Sequence, residues 1–402
     1  MGDRIKMTRA PAIKKEKETK RLYYLDNLKI ALTCFVVAHH TSQGYTNINT
    51  GWAVQQTNIP EINDRIIGWF LSIDNAFFMA LFFMISAYFI PRSLEKRATK
   101  QYIQDRIKRL GIPIIIFMFV IFPITGFLLH GEGMTFIDFL SQKYFPVPNG
   151  EINFGHTWFL FVLLIFTGIY ILFVKTKWVQ QPNKDNSSSE NKPCLPAYLN
   201  NLHILFFALG LSILTFVIRI IFKPGYWLPL HAFEPARIIT YIAMFGFGIL
   251  AYRKQWFAKL PVSVGITWGV VSLGIILLAP PIILFLLGGY AIWAEGLSLN
   301  SLIVSAWETF LCVGLCVSLP VLFRQKFNNT NKILKKTAQY SFGVYLIHPL
   351  IIIPIQAAVI NVPIHPILKF ILVSIVGIIL CYSLCHLYSV TKNNLFKKVI
   401  RN

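Results

Sequence analysis

The sequence predicts an all-α, polytopic integral membrane protein, a helical bundle of about ten transmembrane helices. Three observations predict it. Of the 402 residues, 55% are hydrophobic and only 14% are charged, whereas soluble domains carry about a quarter of charged residues. Apolar runs of about 20 residues recur from one end to the other, each long enough to cross a ~30 Å hydrocarbon layer at ~1.5 Å per residue. The basic residues sit in short blocks between those runs, as the positive-inside rule requires. A soluble enzyme, a disordered chain and a single-span receptor with a large ectodomain are excluded. So is a membrane β-barrel, whose strands would alternate apolar and polar residues.

The ten spans are read at 26–45, 66–90, 112–130, 157–174, 202–222, 237–252, 262–287, 300–323, 340–360 and 367–390. The first is the most polar. The seventh contains Pro280-Pro281, which is expected to break it. Before the spans lies a basic cytoplasmic tail, 1–25, and after them a cytoplasmic tail, 391–402. A polar, low-complexity linker occupies about 176–200. Sorting Lys and Arg by loop gives a consistent alternation. Thirty-two of the 38 fall in the tails and every second loop, and the other six are Arg65, Lys143, Arg219, Lys223, Arg237 and Lys369. Both termini are therefore expected in the cytoplasm.

The net charge of +21 invites a nucleic-acid reading. The loop-by-loop alternation accounts for the charge better, so the partner is the lipid bilayer and no nucleic acid is expected. The six cysteines lie mostly within apolar runs, which argues against a disulfide framework. Cys312/Cys316 and Cys381/Cys385 are spaced i, i+4, yet buried free cysteine is far commoner than a metal site, and no metal is expected. No cleaved signal peptide is apparent, because the first apolar run is too long and its charged lead too extended.

Ionisable residues at membrane depth are costly and mark function by default. The shortlist is Asp26, Lys29, His39, His40, Asp74, His156, Arg219, Arg237, Glu308, His348 and His386. On the first span, Asp26, Lys29, Thr33 and His40 fall within a band of roughly 60° at 100° per residue, while His39 points about 100° away. Lys29 and His40 lie about 16 Å apart along the axis. One face thus carries a cation near the cytoplasmic end and an imidazole toward the outer half. The alternative is that Asp26 and Lys29 anchor the interface and His40 packs. Arg106 and Arg109, three apart in the loop before the third span, form a basic pair suited to phosphate, although any cytoplasmic loop is expected to be basic. Glu308 is the one acid deep in the eighth span. It must pair with a cation or histidine, or stay protonated.

Five clusters then line up in order. Tyr23-Tyr24-Leu25-Asp26-Asn27-Leu28-Lys29 leads to Val36-Val37-Ala38-His39-His40. Phe82-Phe83-Met84-Ile85-Ser86-Ala87 follows, then Arg106-x-x-Arg109-Leu110 with Pro113, then His156-Thr157-Trp158-Phe159-Leu160, and last Ser341-Phe342-Gly343-Val344-Tyr345-Leu346-Ile347-His348. In this order they resemble the membrane acyltransferase-3 family, including its glucan-biosynthesis protein C branch. His40 stands where that family has the histidine held to be catalytic. Lys29 stands where it has arginine, and Arg21, eight residues earlier, is the candidate for the missing guanidinium. Ala87 replaces a glycine.

The resemblance implies a multi-pass plasma-membrane acyltransferase, acting on groups other than amino-acyl groups in polysaccharide modification at the cell envelope, such as O-acetylation. It implies acyl-CoA as the donor, probed first as acetyl-CoA, with Arg106, Arg109 and Arg21 on its phosphates. It implies an acetyl or succinyl group moved to a hydroxyl of an extracytoplasmic glycan or glycolipid, with His40 as general base. A transient acyl-histidine is a second route. Lys29, Asp26, Ser86, His156, Glu308 and His348 are the supporting residues. The oxyanion donor is sought among His156, His348 and Ser86, because Lys29 is too far along the helix. Two other classes stay open: a transporter or flippase for a lipid-linked sugar, and a structural partner of a polysaccharide synthase.

Overall fold

The computed structural model describes residues 21–48, 50–146, 150–175, 199–287 and 296–401. The greater part of the expected N-terminal tail, and 176–198 of the expected linker, lie outside the described residues. Among the described residues ten long helices run in chain order: α1 Tyr23–Ser42, α2 Glu61–Tyr88, α3 Thr99–His130, α4 Trp158–Lys175, α5 Asn201–Ile221, α6 Pro235–Lys254, α7 Val262–Leu287, α8 Leu299–Lys326, α9 Lys332–Val359 and α10 Pro366–Arg401. Among the described residues nine helices are long and apolar enough to cross a membrane, and the chain is a multi-pass membrane protein. The expected first span, α1, is outside that group of nine. It is long enough, at 20 residues and so about 30 Å, but its polar face lowers its hydropathy.

That face is tolerated because α1 is an interior helix. It packs against α2, α8, α9 and α10, and half of its positions are buried. Leu25, Leu28, Leu32 and Val36 join the main core with Phe83, Met84 and Ile85 of α2. The helix ends bear out a two-ended bundle. Asn27 of α1 donates to the carbonyls of Phe327 and Asn329 at 2.7 and 2.9 Å. The Tyr340 hydroxyl of α9 lies 3.0 Å from Nδ1 of His386 on α10. The start of α1, the start of α9 and the late part of α10 therefore share one end, here called the basic end.

Two expectations are corrected. The third span begins at Thr99 rather than 112, because the basic loop is itself helical. Within α3, π-turns occupy Ile107–Gly111 and Phe117–Ile121, each ending two residues before a proline, Pro113 and Pro123. A proline lacks its N–H and crowds the preceding turn, and a widened turn relieves both. In contrast, Pro280-Pro281 does not break α7, which continues to Leu287. In lipid, staying helical keeps the remaining backbone groups satisfied.

The Phe82–Ala87 cluster proves to be a crossing point. A Cβ added at Gly248 of α6 would stand 2.1 Å from the Met84 carbonyl oxygen and 2.9 Å from Ala87 Cβ. Only small residues let α2 and α6 approach this closely.

Candidate active site

At the end opposite the basic one, the helices enclose a cavity of 850 Å³. Its wall includes His39 and His40 of α1, His156 at the start of α4, Arg237 of α6 and Glu308 of α8. Three distant parts of the chain meet at His348 of α9. Its ring centroid lies 4.9 Å from that of His40 and 5.1 Å from that of His156. Three of the five sequence clusters therefore converge at one place.

Local chemistry fixes two of these rings. Pro349 has no N–H, so the Tyr345 carbonyl one turn back lacks its helical partner. Nδ1 of His348 lies 2.8 Å from that carbonyl. A carbonyl only accepts, so Nδ1 carries the proton and neutral His348 holds its lone pair on Nε2. That Nε2 is buried and has no hydrogen-bond partner among the described residues. Nε2 of His156 lies 3.1 Å from the Leu346 carbonyl and is a donor for the same reason. The Tyr345 hydroxyl in turn donates to the His156 carbonyl. Each neutral ring thus has its only N–H on a backbone carbonyl. Neither is free to donate to an oxyanion in that form, so they support His40 as acceptors and packing surfaces. Ser86 lies at the α2–α6 crossing, outside the cavity wall.

His40 differs. Its Nδ1 has no hydrogen-bond partner among the described residues. One face of its ring meets the indole of Trp52, 5.1 Å away and 25° from parallel. His39 does not point away from this site as its 100° offset suggests, because the cavity wraps around the end of α1. Its Nδ1 lies 2.9 Å from a carboxylate oxygen of Asp74 on α2, and its Nε2 lies 3.1 Å from the Gln43 amide nitrogen. Asp74 is 1% exposed, so this imidazole is the polar group beside an otherwise buried carboxylate.

Glu308 is paired rather than free. It meets both Arg219 and Arg237. Arg237 also pairs with Glu234 at 2.8 Å and reaches the Asn75 carbonyl at 3.3 Å. Two guanidiniums and two carboxylates make a neutral cluster, which stiffens the cavity wall. Arg219 and Arg237 were on the shortlist, but only the fold shows that their partner is Glu308.

The remaining candidates gather at the basic end. Asp26 lies between Arg21 and Lys29, at 2.6 and 2.9 Å. The Lys29 ammonium sits 4.9 Å from the Phe89 ring centre. Arg106 donates to the Tyr102 hydroxyl at 2.8 Å, and Arg109 lies over Phe342 of α9 at 5.2 Å. On α1 the cavity wall reaches only to Val36, about 10 Å along the axis from Lys29. The two ends are joined by a seam of rings on α9, in which Phe342 lies 6.4 Å from Tyr345 and Tyr345 lies 6.2 Å from His348.

Four tryptophans add flat apolar surfaces to the cavity, and only Trp158 belongs to one of the sequence clusters. Trp52, Trp158, Trp227 and Trp307 all line it. Nothing in the spacing of Trp52, Trp227 and Trp307 separates them from the rest of the nine tryptophans and 34 phenylalanines of the chain.

Comparison with known proteins gives the family of the chain. The chain is 24% identical to Glucans biosynthesis protein C of Shigella dysenteriae serotype 1 (strain Sd197) over 243 residues, 58% of each chain. It is 25% identical to the protein of that name from Salmonella schwarzengrund (strain CVM19633) over 253 residues, again 58% of each. With that of Escherichia coli (strain SMS-3-5 / SECEC) it shares 24% identity over 243 residues. The chain thus spans somewhat more than half the length of these curated relatives. No solved structure matches it. The family model described as "Acyltransferase domain" matches residues 22–386, from the start of α1 into α10 and through every cluster that builds the site, and the chain belongs to that acyltransferase family.

Proposed function

We propose that this chain is a plasma-membrane O-acyltransferase that draws an acyl group, acetyl or succinyl, from acyl-CoA at its basic end. It passes that group to a hydroxyl of a glycan or glycolipid held in the cavity. The observation that carries the reading is the clustering of His40, His348 and His156, with His40 and His156 in the wall of one cavity, at the end opposite Arg21, Lys29, Arg106 and Arg109. Both termini then lie in the cytoplasm, on the side of the basic end.

In this reading the acceptor hydroxyl gives its proton to a ring nitrogen of His40 as its oxygen attacks the thioester carbonyl. A C–O bond forms, the C–S bond breaks, and the CoA thiolate leaves with the proton that His40 returns. A neutral imidazole suits this task, since it offers a lone pair that can take the proton and then return it. The four tryptophans give the acceptor flat apolar surfaces to lie against. Arg109 and its neighbours give the phosphates of CoA charge-assisted donors.

The test is a mass-resolved analysis of surface glycans from cells carrying the wild-type chain, His40→Ala or no copy. Loss of a general base lowers rate by about 10²–10⁴-fold. The reading therefore expects acylated glycan with the wild type alone, at equal amounts of folded protein. Acylation that persists in His40→Ala removes the imidazole as base. Glycans that do not differ between wild type and the empty strain favour a transporter or flippase instead.

A further inference from the structure

We propose that Trp52 is the positioning residue of His40, and that Gln356 of α9 is the brace that holds it. The inference rests on the reading of His40 as the base and adds the device that keeps its ring in place.

Trp52 lies in the segment between α1 and α2. Its indole covers one face of the His40 ring, and His348 lies against the ring from α9, 4.9 Å away and tilted by 32°. A ring flanked in this way presents its edge to the cavity. The indole is itself fixed: its Nε1–H donates to Oε1 of Gln356 at 2.7 Å. Gln356 is 1% exposed and uses the other end of its amide as well. Its Nε2 donates to the Thr41 carbonyl at 2.8 Å. Thr41 is next to His40 and lies in the last turn of α1, where carbonyls lack helical partners. One buried amide therefore holds both the backbone beside His40 and the ring stacked upon it.

The sequence accommodates this brace in two ways. Gly44 leaves room for the amide, because a Cβ there would stand 2.3 Å from Gln356 Nε2. His348, Ile352 and Gln356 are four apart, so α9 presents the supporting ring and the brace on one face. A buried glutamine in an apolar helix carries a desolvation cost unless its amide is satisfied at both ends, and here both ends are satisfied on groups that fix His40.

The test uses the full-length protein in detergent, with diethyl pyrocarbonate as the probe and peptide mass as the readout. That reagent reports exposure of imidazole nitrogens without any substrate. The variants are Trp52→Phe, which keeps a ring but loses the N–H, Gln356→Leu, and the two combined. Each single variant is expected to raise the carbethoxylation rate of His40 by about fivefold, the scale of one net hydrogen bond. The double variant should label no faster than Gln356→Leu alone, because that variant already removes the bond that Trp52→Phe removes. His130, on the cavity rim and half-exposed, is the internal control and should not change. Additive effects, no change in either single variant, or an equal rise at His130 would overturn the brace. Should Gln356→Leu lower the Tm, Trp52→Phe carries the test alone, since its side chain is only partly buried. Glycan acylation by the same variants should fall in parallel with the rise in labelling. If acylation survives His40→Ala while the labelling pattern holds, the base assignment has failed and the brace stands.

Discussion

Replacing Glu308 by Gln separates a catalytic carboxylate from a structural one. In the native protein Glu308 faces Arg219, whose side chain is 1% exposed, and Arg237, at 12%. Arg219 also reaches the Ser305 hydroxyl at 3.3 Å, and Arg237 keeps Glu234 at 2.8 Å. Removing the negative charge of Glu308 leaves two guanidiniums against the single carboxylate of Glu234. Breaking a buried pair by removing one partner costs about 3–5 kcal/mol, a hundredfold to several-thousandfold in the folded population at roughly 1.4 kcal/mol per tenfold. Thermal unfolding of the purified protein in detergent should show a Tm lower by about 5 °C or more. Arg219→Gln in the same chain should recover part of the loss, because it restores neutrality, so the double variant should be more stable than the sum of the singles predicts. A Glu308→Gln protein with native Tm and no turnover would refute this reasoning and return Glu308 to the chemistry.

Other expectations follow from the same geometry. His39→Ala should act on stability, lowering it by about 1–3 kcal/mol as the buried Asp74 loses the imidazole beside it, whereas His40→Ala should act on rate at unchanged Tm; equal effects on both from both variants would contradict the division. Arg106→Gln with Arg109→Gln should weaken acyl-CoA binding by about 1.5–3 kcal/mol per lost charge-assisted bond, as read by calorimetry on protein that still inserts; unchanged affinity would make the pair a topology signal alone. A cysteine placed at Glu132, in the segment after α3, should react with an impermeant thiol reagent from outside the cell, and one at Asn328, beside the basic end, should not. The reverse pattern would invert the orientation.

The sequence by itself determined much of the bundle. Apolar length is a local property, so ten spans were read from runs that lipid requires, nine of them helices long and apolar enough to cross a membrane among the described residues, and the alternation of basic loops followed from the same reading. The α1 face with Lys29 and His40 was legible because helical periodicity fixes which residues lie together. The convergence of His40, His348 and His156 was not, since nothing local says that residues 40, 156 and 348 meet; packing of α1 against α9 decides it. Spacing placed His39 away from the site, and the tertiary fold reversed this, because a cavity wider than one helix face touches both neighbouring histidines. The same holds for Glu308, whose role depends on arginines from two other helices. Trp52 and Gln356 carried no signal at all. One sits in a loop and the other in an apolar run, and their shared purpose arises from one hydrogen bond across 304 residues. Long-range pairing of this kind depends on how helices cross, which the local energetics of a chain do not encode.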